Sequence, residues 1–249
     1  MPLELRPLLS AAEMPEFISC YLAAFSNPDS PFTHLAAPIH DSSASAHQDR
    51  IQGFSARQWF AHSTDPSSRL FKVVDTERND KIIAGAKWNI NLEDPFKNGV
   101  PKASAYWWPP GPSKRYTEAV LNRLLEIRNR CKAYIHYRRQ GAGDLMMEWA
   151  IREADRLGLE IHIEGSPLGS SLYTKHGLRV LQIAELNPPL GTQEEEADEE
   201  WRSWRELTNG LRCALLMRPV RGDWEGHDGP EFTPKGDLTT NFWEKQVND

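Results

Sequence analysis

At 249 residues, with 39% apolar and 26% charged side chains, the chain is long enough to bury a full core. Its composition excludes the collagen-like, coiled-coil and disordered classes. The formal net charge of −6 excludes generic nucleic-acid binding by counterion release, which needs a basic footprint. One folded domain spanning 1–249 is expected, with no apolar run approaching the roughly 20 residues that cross a bilayer and hence no membrane partner. The first residues lack the basic start and apolar stretch of a signal peptide, so a cytoplasmic protein is expected, with a nuclear setting left open. Cys20, Cys131 and Cys213 are odd in number, far apart and without CxxC spacing, which argues for buried thiols rather than disulfides or zinc.

The alternation in Leu3-Glu4-Leu5-Arg6-Pro7 predicts a short strand. Ser10 with Glu13 three residues on predicts a capped helix running to about Phe25. Residues 26–48 mix Pro, Ser, His and Ala without periodicity and are expected to be irregular. Helical spacing resumes from Ile51 to His62, and two strands, 70–75 and 81–90, flank a polar turn as a hairpin. Residues 94–112 read as a loop whose Tyr106, Trp107 and Trp108 serve either packing or an acceptor-pocket wall.

Lys114 to Arg130 is an amphipathic helix, followed by a short strand candidate, Lys132 to His136. The glycine run then opens a second amphipathic helix, which Gly158 ends. A strand at 160–164, a short helix at 167–176, a strand at 178–184 and a last strand at 211–219 complete the regular elements. The acidic run in 187–210 reads as a solvated loop or an exposed helix start, and 222–249 as irregular. The order of strands and helices predicts an α/β or α+β layer structure.

The chemistry concentrates at Arg138-Arg139-Gln140-Gly141-Ala142-Gly143. Small residues directly before a helix let a ligand approach the backbone, and the unpaired amides at the helix start point at it, which makes an anion site. Arginines add charge-assisted hydrogen bonds, and Arg128, Arg130, Lys132, Arg138 and Arg139 form a basic cluster in an acidic chain, so a phosphate-bearing cofactor is the expected anion. Neither a P-loop nor a Rossmann fingerprint is present. Asp144, in the first turn, is a favourable partner of the helix dipole.

Here the chain resembles the GNAT N-acetyltransferase family, whose signature is Gln/Arg-x-x-Gly-x-Gly/Ala opening a helix after a central strand. The resemblance runs on through Leu172-Tyr173-Thr174-Lys175-His176-Gly177-Leu178, which looks like the family's second, tyrosine-bearing cofactor segment. It implies a mixed, mostly antiparallel sheet flanked by helices and acetyl-CoA as cosubstrate. It further implies that Arg138, Arg139, Gln140, Gly141, Ala142, Gly143 and Asp144 hold the pyrophosphate. Ser166 stands where many members carry an asparagine that contacts the pantetheine arm, and Tyr173 matches the tyrosine that protonates the departing thiolate. The acceptor is a small-molecule or peptide amine, and Glu164, His136 and His34 are candidate bases or water-positioning groups.

The chain departs from the family before the glycine loop. Only Lys132 to Tyr137 is available for a strand that is usually long, and Ile135 stands at the usual proline position. In the family, that strand offers backbone amides to the acyl carbonyl and the pantetheine arm. Its abbreviation raises the alternative of a non-catalytic acyl-CoA-binding protein on the same fold.

Overall fold

A computed structural model describes residues 2–131, 142–166, 169–188 and 191–225. The expected short strand at 132–136 lies outside these, as does most of 222–249. Strand β1 (Leu3–Pro7) pairs antiparallel with β2 (Ser68–Asp75), and β2 with β3 (Lys81–Asn89). The β2–β3 turn closes through Asn79 and Asp80, both at positive φ (59° and 58°), a conformation these two residue types tolerate better than most. A second antiparallel sheet has the order β4 (Ile161–Gly165), β6 (Arg212–Arg218), β5 (Arg179–Glu185). Every strand pair among the described residues is antiparallel.

Within β3 one residue is extra. Val73 pairs with Ala84 and Val74 with Ile82, which leaves Ile83 unmatched as a bulge. Beyond it, Ala84, Ala86 and Trp88 join one core, while Gly85, Lys87 and Asn89 turn to the opposite face.

Helix α1 (Met14–Ala24) follows a short turn at Ala11–Glu13, where Glu13 Oε2 accepts from the Ser10 and Leu9 amides (3.2 and 2.9 Å). Residues 26–48 are more regular than expected. They contain helix α2 (Pro31–Ala36) and the first turn of α3 (Ala46–Ser63). Pro31 at the helix start pre-sets φ, and burial of Thr33 and Leu35 supplies the stabilisation that the sequence pattern did not advertise. Residues 94–111 carry no helix or strand, as expected. Helix α4 (Pro112–Cys131) then runs to within one residue of the segment that is not described.

Helix α5 (Ala142–Leu157) lies across one face of both sheets. Its buried stripe of Ala142, Met146, Met147, Ala150 and Ala154 meets Val73, Ala86 and Trp88 of the first sheet and Ile161, Ile163 and Leu216 of the second. Each methionine buried in this way contributes about 1.5–3 kcal/mol. On the other face, α1 and α3 cover the first sheet, with Phe17, Ile18, Phe54 and Ile82 at the centre. The second sheet is covered by α4 and by α8 (Glu199–Leu207), through Tyr116, Val120, Leu124, Trp201 and Leu215.

Among the described residues of 187–210, the acidic run marks exposed helix starts rather than a solvated loop. A capping box of Thr192 and Glu195 starts α7 (Gln193–Ala197), and the Asp198 carboxylate accepts from the Glu200 and Trp201 amides to start α8. The acidic run supplies the helix starts, and the tryptophans carry the packing. Helix α6 (Ser170–Lys175) sits between β4 and β5 in the chain. Among the described residues, no helix is long and apolar enough to cross a membrane.

Candidate functional site

The starts of α5 and α6 and the end of β4 converge. Gly143 lets the two helices touch, because a Cβ there would stand 2.5 Å from Leu172 Cδ2. One residue on, the Asp144 carboxylate takes hydrogen bonds from Lys175 Nζ (2.9 Å) and His176 Nε2 (2.7 Å), tying the first turn of α5 to the last turn of α6. Those two bonds, that from Lys175 first, hold the Asp144 carboxyl below the usual carboxylate range.

Tyr173 is buried in a slot formed by two glycines. A Cβ on Gly165 would lie 3.0 Å from its Cε2, and one on Gly169 3.1 Å from Cε2 and 3.4 Å from the hydroxyl. Ser166 shares this corner, its carbonyl accepting from the Gly169 amide at 2.9 Å and its hydroxyl 3.5 Å from the same Gly169 Cβ position.

β4 separates two environments. Ile161, Ile163 and Gly165 face α5 and Tyr173, while the alternate Glu164 meets α4. Arg128 Nε donates to Glu164 Oε1 at 2.7 Å, and Glu164 Oε2 is buried with no hydrogen-bond partner among the described residues. Burial pushes the Glu164 carboxyl up, and the Arg128 charge offsets this only in part. Burial likewise lowers Arg128.

Arg128 also lines a cavity of about 710 Å³ on the α1/α3/α4 face, above the space between the two sheets. Its walls are apolar for the most part, with Phe17, Tyr21, Phe54 and Trp107 prominent. The loop aromatics both pack and line this cavity. Trp107 and Trp108 both donate to the Leu35 carbonyl (2.9 and 3.1 Å), and Trp107 with Tyr106 also lines the cavity. A smaller cavity of about 370 Å³ opens between the end of β3 and the start of β4. Its acidic groups are already engaged, Glu153 by Arg156 and Glu160 by His162.

Of the residues singled out from sequence, Ala142, Gly143, Asp144, Ser166 and Tyr173 gather at this one corner. Ile135, His136, Arg138, Arg139, Gln140 and Gly141 lie outside the described residues. His34 bonds Asp29 (2.7 Å) at the surface and does not line the large cavity. The sequence reading passed over Gly165 and Gly169, which precede Tyr173 by eight and four residues, and that spacing was the available signal. It also passed over Lys87, a lysine inside an otherwise apolar strand.

The comparisons with known structures follow this geometry. A histone acetyltransferase HPA2 and related acetyltransferase from Corynebacterium glutamicum superposes with a TM-score of 0.51 at 15% identity, covering 88% of this chain and 97% of that one. This chain has the GNAT fold. Two further structures were found at lower scores. One is a phosphinothricin N-acetyltransferase (TM-score 0.41, 12% identity, covering 88% and 99%). The other is a ribosomal-protein-S5-alanine acetyltransferase from Vibrio fischeri (0.42, 13% identity, covering 89% and 94%). No protein-family profile matches the sequence, and no curated protein matches it. On the GNAT fold, then, the corner formed by the end of β4 and by α5 and α6 holds Ala142, Gly143, Asp144, Ser166 and Tyr173 of the residues that the sequence resemblance had marked.

Proposed function

We propose that the protein is an acyltransferase that uses acetyl-CoA and moves the acetyl group to an amine. One observation carries this reading: the two faces at the end of β4 present Tyr173 on one side and Glu164, paired with cavity-lining Arg128, on the other. The residues present fit a CoA donor. A 16-residue helix opens at Ala142 and Gly143, and its first amides and dipole favour a pyrophosphate. Ser166 borders the tyrosine slot, where the pantetheine arm would pass. When bound, acetyl-CoA supplies an activated acyl group and a thiolate leaving group.

The protein's residues then divide the work. Tyr173, held in place by the glycine slot, gives its hydroxyl proton to the departing sulfur. Glu164, made more basic by burial and with one oxygen unpartnered among the described residues, accepts the amine proton directly or through water. The cavity excludes bulk water from the acceptor.

Calorimetric titration with acetyl-CoA, paired with thiol release over an amine panel, tests the reading. Tyr173→Phe is expected to bind acetyl-CoA as the wild type does and to slow transfer about 10²–10⁴-fold. Absence of acetyl-CoA binding sinks the proposal. Binding without transfer to any amine points instead to a non-catalytic acyl-CoA-binding protein.

A further inference from the structure

The large cavity holds three cationic side chains and one carboxylate, and their engagements differ. Arg57 donates Nη2 to the Ala36 carbonyl at 2.6 Å and stacks over Trp107 at 4.8 Å. Arg128 is paired with Glu164. Asp65 accepts from the Ser67 amide and hydroxyl (2.9 and 2.7 Å) and from Asn89 Nδ2 (2.7 Å). Lys87 is different. Half-buried opposite Leu70 in the β2–β3 pairing, it lines the cavity with no hydrogen-bond or ion-pair partner among the described residues.

A half-buried ammonium with no directly paired counter-ion is unfavourable, and a ligand that supplies one recovers part of that cost. Burial depresses the Lys87 ammonium, and the neighbouring Arg128 charge adds to the effect, while Asp65 opposes it. An anion bound there would reverse this. The remaining walls ask for apolar contact, with Phe17, Tyr21, Phe54, Trp107 and Leu121 around a volume that holds a small molecule rather than a protein surface.

We infer that the acceptor is an amine that also carries a carboxylate on an apolar body, the class of a free amino acid with a large apolar side chain, and that Lys87 binds its carboxylate. This rests on the acyltransferase reading above. With the carboxylate at Lys87 on β3, the amine is left for the side of the cavity where Arg128 pairs with Glu164 of β4, and the aromatic walls take the side chain.

The full-length protein is assayed with acetyl-CoA against L-phenylalanine and L-phenylalaninamide, and against tyramine and a lysine peptide as amines without the carboxylate. Wild type is expected to prefer the free acid over the amide by at least about tenfold in kcat/KM, mostly through KM. In Lys87→Met that preference disappears, and Lys87→Arg restores part of it. A purely structural lysine would lower the melting temperature of Lys87→Met and leave the acid-to-amide ratio unchanged, which overturns the inference. So does a wild type that acetylates the amide, tyramine or the peptide as well as the acid, although the acyltransferase reading then stands. A readout independent of turnover is the melting temperature with N-acetyl-L-phenylalanine. It is expected to rise in wild type and not in Lys87→Met, and equal shifts in both overturn the inference even if no amine is acetylated. Failure to bind acetyl-CoA, by contrast, removes the acyltransferase reading and the acceptor role with it, and the melting-temperature comparison then decides the carboxylate site at Lys87 by itself.

Discussion

At the scale of single residues, close approach governs the site. A Cβ on Gly85 would stand 2.0 Å from Cε2 of Phe17, so the bare backbone of β3 is what lets α1 lie down beside the cavity. An aromatic ring between sheet and helix cannot swing aside as a chain end can. Gly85→Ala should therefore cost about 1–3 kcal/mol as an overpacked core substitution, read as a lowered urea midpoint with an unchanged m-value. Glu164 gives a pH prediction. Its carboxyl is raised by burial despite Arg128, so the folded protein holds that proton more tightly than the unfolded chain. The stability this group lends is complete below the ordinary carboxylate range and is lost as pH rises through the raised value. Glu164→Gln keeps an oxygen acceptor for Arg128 and removes the titration. The melting-temperature difference between wild type and variant should then drift against the wild type as pH increases from acid toward neutral; a constant difference would contradict it. Asp144, lowered by Lys175 and His176, has the opposite sign and loses its contribution as pH falls. Residues of this kind divide by legibility. Gly143 and Tyr173 were visible because they belong to a linear motif. Lys87 was not, because a lone cation in a strand acquires meaning only from what faces it, and Arg128, read as part of a basic cluster for a phosphate, pairs with Glu164 instead.

At the scale of elements, most of the fold could be read from periodicity: the β2–β3 hairpin, α4, α5 and the strands β4 to β6 all lie within a few residues of expectation. The exceptions share a cause. Helices α2, α7 and α8 are at most nine residues long and are held by caps and a few buried side chains, so their own sequence gives little periodic signal. α8 shows this best. Trp201 is almost wholly buried, with its ring 4.9 Å from that of Tyr116, and Tyr116 in turn bonds Thr208 at 2.6 Å. Trp201→Ala should cost about 3–5 kcal/mol, and Asp198→Ala, which removes the cap, about 1 kcal/mol. Chemical denaturation followed by far-UV circular dichroism would check both. Equal effects would mean that the cap, and not the tryptophan, anchors this helix on α4.

At the scale of the whole molecule, one helix bridges two three-stranded sheets on one face, while two separate sets of helices cover the other. The large cavity lies where those two sets meet, so its walls come from the covers of both sheets. This division could not be read from the sequence, because the residues that line the cavity come from 17 to 128 and no local window contains them. The unmatched Ile83 now takes on a further meaning. A strand alternates with a period of two, so one inserted residue reverses the parity of everything after it. Val74 and Ile82 look toward α1, and the insertion is what allows Trp88 to look toward α5 and Lys87 toward the cavity. Were Ile83 to take a place in the ladder instead of bulging out of it, the lysine would change sides with the tryptophan: an indole would line the cavity and an ammonium would enter the core. Which side chain the strand turns to the cavity is thus set by a count, odd or even, made four residues before it.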